Sequence, residues 1–308
     1  MKVLVTGGAG FIGKHLVRSL LEKGDSVTIF DNFSNSTKDS ISSLVDIGAK
    51  VIQGDIIKSV EILSAAKDQD VVIHLAAQIS VQESIRNPEN TTKINVEGTK
   101  NVFHACIKNK IKNIIIISSA AVYGNECKKN DSLNEESGCN PLSPYGKSKL
   151  EMENWLKNNI KETSLNCIIL RFFNIYGIGQ TKEYAGVISK FSEYIKNDSP
   201  ITIYGKGVQT RDFISIDDVI KLILLAISNM DNKKAEIFNI ATGISTSINE
   251  LAKIMLKISG TKNKINHVDP KSDDILFSKT DVTKAQRYFK FNAKISLEEG
   301  IKKYWNDF

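Results

Sequence analysis

The sequence predicts an α/β fold, a doubly wound (Rossmann) parallel sheet followed by a smaller C-terminal α/β domain, and three observations predict it. Short β-branched runs alternate with longer helix-period segments through the first half: Lys2 to Thr6, Ser26 to Phe30, Lys50 to Gln53, Asp70 to Leu75, Asn113 to Ser118 and Asn166 to Phe172. A glycine cluster starting at Gly7 follows the first run directly and opens the first helical segment. After Gly177 the rhythm breaks into a long connection, a helix near Val187 to Lys196, a strand near Ile201 to Tyr204 and less regular elements. A βαβ rhythm implies parallel strands covered by helices on both faces.

Each early element has a local cause. Ile12, Leu16, Val17, Leu20 and Leu21 share one helical face, and Gly24 stands where a C-terminal cap belongs. Ile114 to Ile117 reads as a central strand buried on both faces, and the polar run Lys128 to Ser137 as a surface loop. The expected domains are 1–177 and 178–308, with later strands near 209–242 returning to the first.

Composition excludes several classes. With 308 residues, 41% hydrophobic and 25% charged, the chain is neither disordered nor fibrous. Its longest apolar stretch, Leu222 to Ile227, is far below the ~20 residues of a membrane span. The few residues before Gly7 leave no room for a secretory leader, so a cytoplasmic location is expected. Cys106, Cys127, Cys139 and Cys167 lack CxxC spacing, and His15, His74, His104 and His267 form no HxxxH pair, so neither a disulfide framework nor a metal is indicated. The net charge of +6 is spread among acidic residues, which argues against nucleic acid and suits a small dianionic ligand.

Gly7-Gly8-Ala9-Gly10-Phe11-Ile12-Gly13 contains GxGxxG between a strand and a helix. A pyrophosphate needs this: glycines let backbone turn tightly and approach it, while the helix N-terminus offers free N–H groups. Asp31 ends the second strand 18 residues past Gly13, where a carboxylate accepts from a ribose 2′-hydroxyl and repels a 2′-phosphate. The expected cofactor is therefore NAD rather than NADP. An ordinary loop with Asp31 capping a turn is the blander alternative.

Tyr145 and Lys149 lie four apart at the start of a helix, hence on one face. A free phenol titrates near pH 10 and is a poor base at neutrality. An ammonium ~4 Å away at an effective dielectric of ~20 favours the phenolate by on the order of 4 kcal/mol before its own desolvation. Ser118 and Ser119 end the Ile-rich strand at the edge where open α/β sheets bind ligands. Alone, each feature is more often an exposed helix pair or a strand end; beside a dinucleotide cradle they suggest proton transfer.

With these residues the sequence resembles the extended short-chain dehydrogenase/reductases that act on nucleotide sugars, most closely the UDP-glucose 4-epimerase group. The resemblance runs through Thr6 to Gly13, Asp31-Asn32, Asp55-Ile56, Leu75 to Gln78, Asn95 to Thr99, Ser118 to Gly124, Tyr145 to Lys149, Arg171 to Asn174 and Gln209 to Phe213. It implies Ser119, Tyr145 and Lys149 as the catalytic trio. It places the cofactor along Gly7, Gly10, Phe11, Ile12, Gly13, Asp31, Asn32, Asp55, Ile56, Leu75, Ala76, Ala77, Gln78 and Asn95, as well as Tyr145 and Lys149. It implies a UDP-sugar on Ser119, Tyr145, Asn174, Val187, Ile203, Tyr204, Arg211, Lys271, Asp274 and Ser278.

Sugar dehydratases of this family carry Asp-Glu directly after the catalytic hydroxyl, and decarboxylases a glutamate at the second position; here Ala120 and Ala121 cannot transfer a proton. The resemblance thus implies oxidation and re-reduction at one carbon, through a transient 4-keto sugar. Two departures bear on the substrate. Lys271-Ser272-Asp273-Asp274 aligns with a family Arg-x-Gly-Asp, and lysine lacks the bidentate fork of arginine. Ser278 aligns where a bulky residue excludes an N-acetyl group in some members, so its small side chain leaves room for UDP-N-acetylglucosamine.

The family commonly forms homodimers through helices that correspond to Thr91 to Asn109 and Tyr145 to Asn159, making Val102, Phe103, Ile107, Trp155 and Leu156 candidate contacts; burial within one chain competes for each. The alternatives in function are a UDP-glucuronate 4-epimerase or another nucleotide-sugar enzyme on this scaffold, and a non-catalytic NAD sensor.

Overall fold

The computed structural model describes all residues except 130, 181–185, 232, 271–274 and 308, and the side chain of residue 307. Lys271 and Asp274, expected at the diphosphate and sugar, lie outside the described residues.

The strands are β1 (Lys2–Thr6), β2 (Ser26–Asp31), β3 (Lys50–Gln53), β4 (Val71–His74), β5 (Asn113–Ser119), β6 (Asn166–Phe172), β7 (Asn174–Tyr176), β8 (Ile201–Tyr204), β9 (Thr210–Ser215), β10 (Lys234–Ile240), β11 (Ser245–Ser247) and β12 (Ile265–Val268). The helices are α1 (Phe11–Glu22), α2 (Ser42–Asp46), α3 (Ser59–Ala65), α4 (Val81–Arg86), α5 (Pro88–Thr92), α6 (Gly98–Lys108), α7 (Pro144–Asn159), α8 (Val187–Lys196), α9 (Ile216–Ser228), α10 (Ile248–Ser259), α11 (Thr283–Phe289) and α12 (Leu297–Asp307). A π-helical turn, Lys93–Glu97, joins α5 to α6.

Among the described residues, seven strands form the main sheet in the order β10-β6-β5-β4-β1-β2-β3. The pairs β1 with β2, β1 with β4, β2 with β3 and β4 with β5 are parallel. Strand order therefore reverses at β1, and the glycine turn leaves β1 at this switch point, where such sheets bind ligands. The apolar runs make central strands because both faces are covered: Val3, Leu4, Val5, Ile114, Ile115 and Ile116 have no exposed surface. Gly24 follows α1 at φ +86°, a left-handed cap that glycine adopts without strain.

The chain divides into two compact units. The first comprises 1–122, 143–171 and 220–238, with the main sheet at its centre. Its core includes Val102, Phe103, Ile114, Leu156 and Ile169, so Val102, Phe103 and Leu156 are interior residues of one chain and are corrected as candidate dimer contacts. Their helical faces meet the sheet, and apolar burial there outcompetes a surface role. Ile107 remains exposed and Trp155 packs partly buried beside this core.

The second unit comprises 123–142, 172–219 and 239–308. Here β9 pairs parallel with β7 and antiparallel with β11, and β12 pairs parallel with β8. Its core gathers Phe191, Ile195, Ile201, Ile203, Leu251, Met255 and Ile301. Residues 123–142 belong to this unit through long-range bonds: Leu133 N–H donates to Lys279 O at 2.9 Å and Asp281 N–H to Leu133 O at 2.8 Å. Tyr123, fully buried, holds Asn239 Oδ1 at 2.7 Å.

Candidate active site

The glycine turn is shaped by steric necessity. Gly7 sits at φ +70°, and a Cβ there would lie 2.6 Å from the Ala76 nitrogen. A Cβ on Gly13 would collide with the Gly7 carbonyl and lie 2.6 Å from Gly8 Cα. Gly10 caps α1 with no side chain of its own. Asp31 braces this turn from β2: its carboxylate accepts Ala9 N–H at 3.0 Å and Phe33 N–H at 2.8 Å. Burial pushes the Asp31 carboxyl up and these two amides oppose the shift. Two amide bonds still leave lone pairs for a ribose diol.

Asn32 donates to Asp55 Oδ2 at 3.1 Å, and Asp55 receives Ile57 N–H at 3.0 Å, fixing the turn after β3. Ile56 is buried against Gly98, where a Cβ would lie 2.5 Å from its Cδ1. The Leu75 to Gln78 segment leaves β4 and is half-buried as far as Ala77. Gln78 itself is 8% exposed, yet neither end of its carboxamide has a hydrogen-bond partner among the described residues. A cradle that only glycine permits, a braced carboxylate and a buried unpartnered amide together fit a dinucleotide such as NAD.

Asn95, expected along the cofactor, is engaged within the fold. In the π-helical turn, where an inserted residue redirects the side chain, its carboxamide accepts Gln78 N–H at 2.8 Å and donates to Gln78 O and to Ser148 Oγ, both at 2.9 Å. It thereby clamps the Gln78 backbone to α7. A buried chain continues from it: Thr99 donates to Asn95 O at 2.7 Å, His74 Nε2 meets Thr99 Oγ1 at 2.9 Å, and His74 Nδ1 meets Thr6 Oγ1 at 2.7 Å. Burial, with the Lys149 charge, pushes His74 down to about 3.

Ser119 ends β5 and α7 begins at Pro144, capped by Ser143 Oγ accepting Gly146 N–H at 3.1 Å. Proline at the first helical position and a serine cap start the helix where Tyr145 is placed in its first turn. The Tyr145 hydroxyl hydrogen-bonds to Ser119. Lys149, 5% exposed, donates through Nζ to Ile117 O at 2.8 Å. The expectation of a phenol lowered by the lysine is corrected: burial pushes Tyr145 up, and only the Ser119 bond opposes it. The ammonium is itself desolvated, which pulls Lys149 down to about 8.

In the second unit, Asn174 on β7 donates to Asp212 O at 3.1 Å. Arg211 on β9 donates through Nη1 to Thr210 O at 2.8 Å and to Ile275 O at 2.5 Å. Buried Asp212 accepts Thr242 N–H at 2.9 Å, Thr242 Oγ1–H at 2.7 Å and Gly243 N–H at 2.8 Å, locking β9 to the turn after β10. Val187 opens α8 half-buried, Tyr204 is exposed, and Ile203 lies inside the unit's core. Ser278 is buried, its N–H donating to Thr210 Oγ1 at 3.2 Å.

Sequence reasoning missed His74, Thr99, Ser148, Glu153 and Asp212. Their one signal is polarity where apolar residues are expected, as in Val71-Val72-Ile73-His74. Among the described residues no group of acidic, His and Cys side chains could hold a metal, and no helix is long and apolar enough to cross a membrane.

Comparison with known proteins agrees with this geometry. Residues 3–241 match the NAD dependent epimerase/dehydratase family. A putative UDP-glucose 4-epimerase of Methanocaldococcus jannaschii is 39% identical, over 99% of this chain and 97% of its own. The crystal structure of UDP-glucose 4-epimerase with UDP-glucose from Thermotoga maritima superposes with a TM-score of 0.93 at 34% identity, covering 100% of this chain and 98% of that one. UDP-N-acetylglucosamine 4-epimerase from Methanobrevibacter ruminantium, in complex with UDP-N-acetylmuramic acid, gives 0.92 at 32% identity, covering 99% and 97%. Family match, shared fold and glycine cradle agree: this chain is an enzyme of the NAD-dependent epimerase/dehydratase family.

Proposed function

We propose that the protein interconverts UDP-hexoses at C4, the UDP-glucose/UDP-galactose pair and also their N-acetylated counterparts. The observation that carries this reading is the Tyr145 hydroxyl bonded to Ser119, with Lys149 one turn along α7 and alanines at 120 and 121. NAD, which the glycine turn and Asp31 would hold, would supply reversible hydride acceptance at C4 of the sugar. Tyr145, as its phenolate, accepts the 4-hydroxyl proton when C4 is oxidised, and as the phenol gives that proton back when C4 is reduced. The Ser119 hydroxyl opposes the upward push of burial on the phenol and so favours the phenolate, while Lys149 is held one turn along α7 on the Ile117 carbonyl. Ala120 and Ala121 supply no second acid, so elimination of water and decarboxylation find no proton donor at these positions.

In this reading the first unit is the NAD-binding domain and the second binds the nucleotide sugar. Asn174 and Arg211 hold the diphosphate, Val187, Ile203 and Tyr204 border the uridine, and the small Ser278 accommodates an N-acetyl group. The likeness to epimerases of both UDP-glucose and UDP-N-acetylglucosamine supports that breadth.

The test incubates purified protein with UDP-galactose, UDP-N-acetylglucosamine and UDP-glucuronate in separate tubes and follows the anomeric protons by NMR. A 4-epimer in the first two tubes is expected. Turnover of UDP-glucuronate alone would move the substrate to the acidic sugar, and no turnover with NAD bound would favour a non-catalytic protein.

A further inference from the structure

Below the Tyr145–Lys149 pair, α7 carries a buried carboxylate that the proton-transfer step does not use. Glu153, one helical turn past Lys149, is 1% exposed. Its Oε1 accepts the Ser118 hydroxyl at 2.5 Å and Arg171 Nε at 2.9 Å, and its Oε2 accepts Arg171 Nη2 at 2.6 Å. Ser118 and Arg171 are each 2% exposed. A pair buried this deeply is weak evidence for stability, because apolar residues of similar volume avoid its desolvation cost.

Its placement is more informative. Ser118 lies between Ile117, whose carbonyl accepts the Lys149 ammonium, and Ser119, which bonds Tyr145. We propose, on the epimerase reading above, that Glu153 is a positioning residue for proton transfer: it pins Ser118, aiming the flanking Ile117 carbonyl and Ser119 hydroxyl at Lys149 and Tyr145, and sets a buried negative charge one turn from the ammonium. Arg171 balances that charge from the far side.

Among the described residues, the groups facing Lys149 are few. Tyr145 and Glu153 share its helix, Arg171 stands on β6 behind Glu153, and His74 on β4 is held neutral. The β5 residues 113–119 carry no titratable side chain. Burial lowers Lys149 towards 8 while Glu153 acts in the opposite sense. Removing the Glu153 charge strips the lysine of the anion that opposes its desolvation, so its proton is lost more easily. Removing the Arg171 charge leaves the anion uncompensated, so the proton is held more tightly.

The test reads Lys149 directly. NAD-loaded protein labelled at the lysine ε-carbons is titrated by carbon NMR, with the Lys149 signal assigned by its loss in Lys149→Met. Glu153→Gln is expected to lower the Lys149 midpoint by about one pH unit or more, and Arg171→Gln to raise it. Glu153→Asp should restore most of the wild-type value. In turnover, Glu153→Gln should cut kcat about tenfold while KM for the UDP-hexose stays nearly constant.

Opposite shifts are not produced by general loosening of the fold, and either variant alone decides if the other does not fold. An unchanged midpoint, or shifts of the same sign in both variants, overturns the proposal. The titration needs no turnover, so a wild-type protein inactive on every UDP-hexose would sink the functional reading and leave the Glu153 result legible.

Discussion

Asn95 grips both main-chain polar groups of Gln78, accepting its N–H at 2.8 Å and donating to its carbonyl at 2.9 Å. One side chain thereby satisfies the backbone of the segment that leaves β4 beside the glycine turn, while its third bond ties that segment to Ser148 on α7. A segment that ends a parallel strand has no ladder to complete, so a carboxamide stands in for the missing strand.

Asn95→Ala leaves these groups buried without partners. It should destabilise the protein by roughly 2–5 kcal/mol, since each orphaned buried group costs about 1–3 kcal/mol. Urea unfolding of variant and wild type with equal NAD loading measures this. A loss below about 0.5 kcal/mol, the size of an ordinary surface substitution, would contradict the clamp.

The glycines separate two kinds of constraint. Gly13→Ala drives a methyl into the Gly7 carbonyl and should abolish NAD retention. At Gly24 the space is open but φ is +86°, so Gly24→Ala should cost about 1 kcal/mol and leave NAD bound. The ratio of absorbance at 260 and 280 nm of each purified variant reports bound dinucleotide. Equal NAD content in the two variants would contradict the account.

His74 couples stability to pH. Its folded value of about 3 lies below the ordinary 6.5, so only the unfolded chain takes up its proton across that window. Stability is full above pH 6.5 and falls as pH drops towards 3, at about 1.4 kcal/mol per pH unit from this group. Denaturant unfolding between pH 7 and 5 should show a shallower decline in His74→Gln than in wild type. Parallel curves would show that His74 titrates normally.

The readable parts of the molecule are those with local causes. β-branched runs between helical segments gave away β1 to β6: β1, β2, β4, β5 and β6 are buried along most of their length and therefore apolar, while the edge strand β3 is mostly exposed and shows itself by its Val51-Ile52 pair alone. GxGxxG and the four-residue spacing of Tyr145 and Lys149 were visible because both act within one turn of backbone. What stayed hidden depends on residues distant in sequence. Nothing near Leu133 announces its bonds to Lys279 and Asp281, and nothing near Glu153 announces Arg171. The phenol's direction was misread for the same reason: spacing gave the lysine's place but not the burial around both groups, and burial decides the sign.

Tyr145→Phe removes the phenol hydrogen that the proposed cycle passes to and from the sugar, leaving the ring to fill its site. Turnover should fall about 10²–10⁴-fold with bound NAD unchanged. Ser119→Ala should fall in the same direction by a smaller factor. Wild-type rates in Tyr145→Phe would remove the phenol from the mechanism.

The central claim is oxidation and re-reduction at a single carbon, and conversion of UDP-galactose in heavy water tests it most directly. Hydride that leaves C4 and returns to it never exchanges with solvent. Once the product is returned to light water, so that its hydroxyl and N–H positions carry hydrogen again, the account predicts UDP-glucose of unchanged mass, with full proton intensity at C4, C5 and C6. Deuterium at C5 or C6 would reveal elimination in place of simple epimerisation, and would contradict the role given to Ala120 and Ala121.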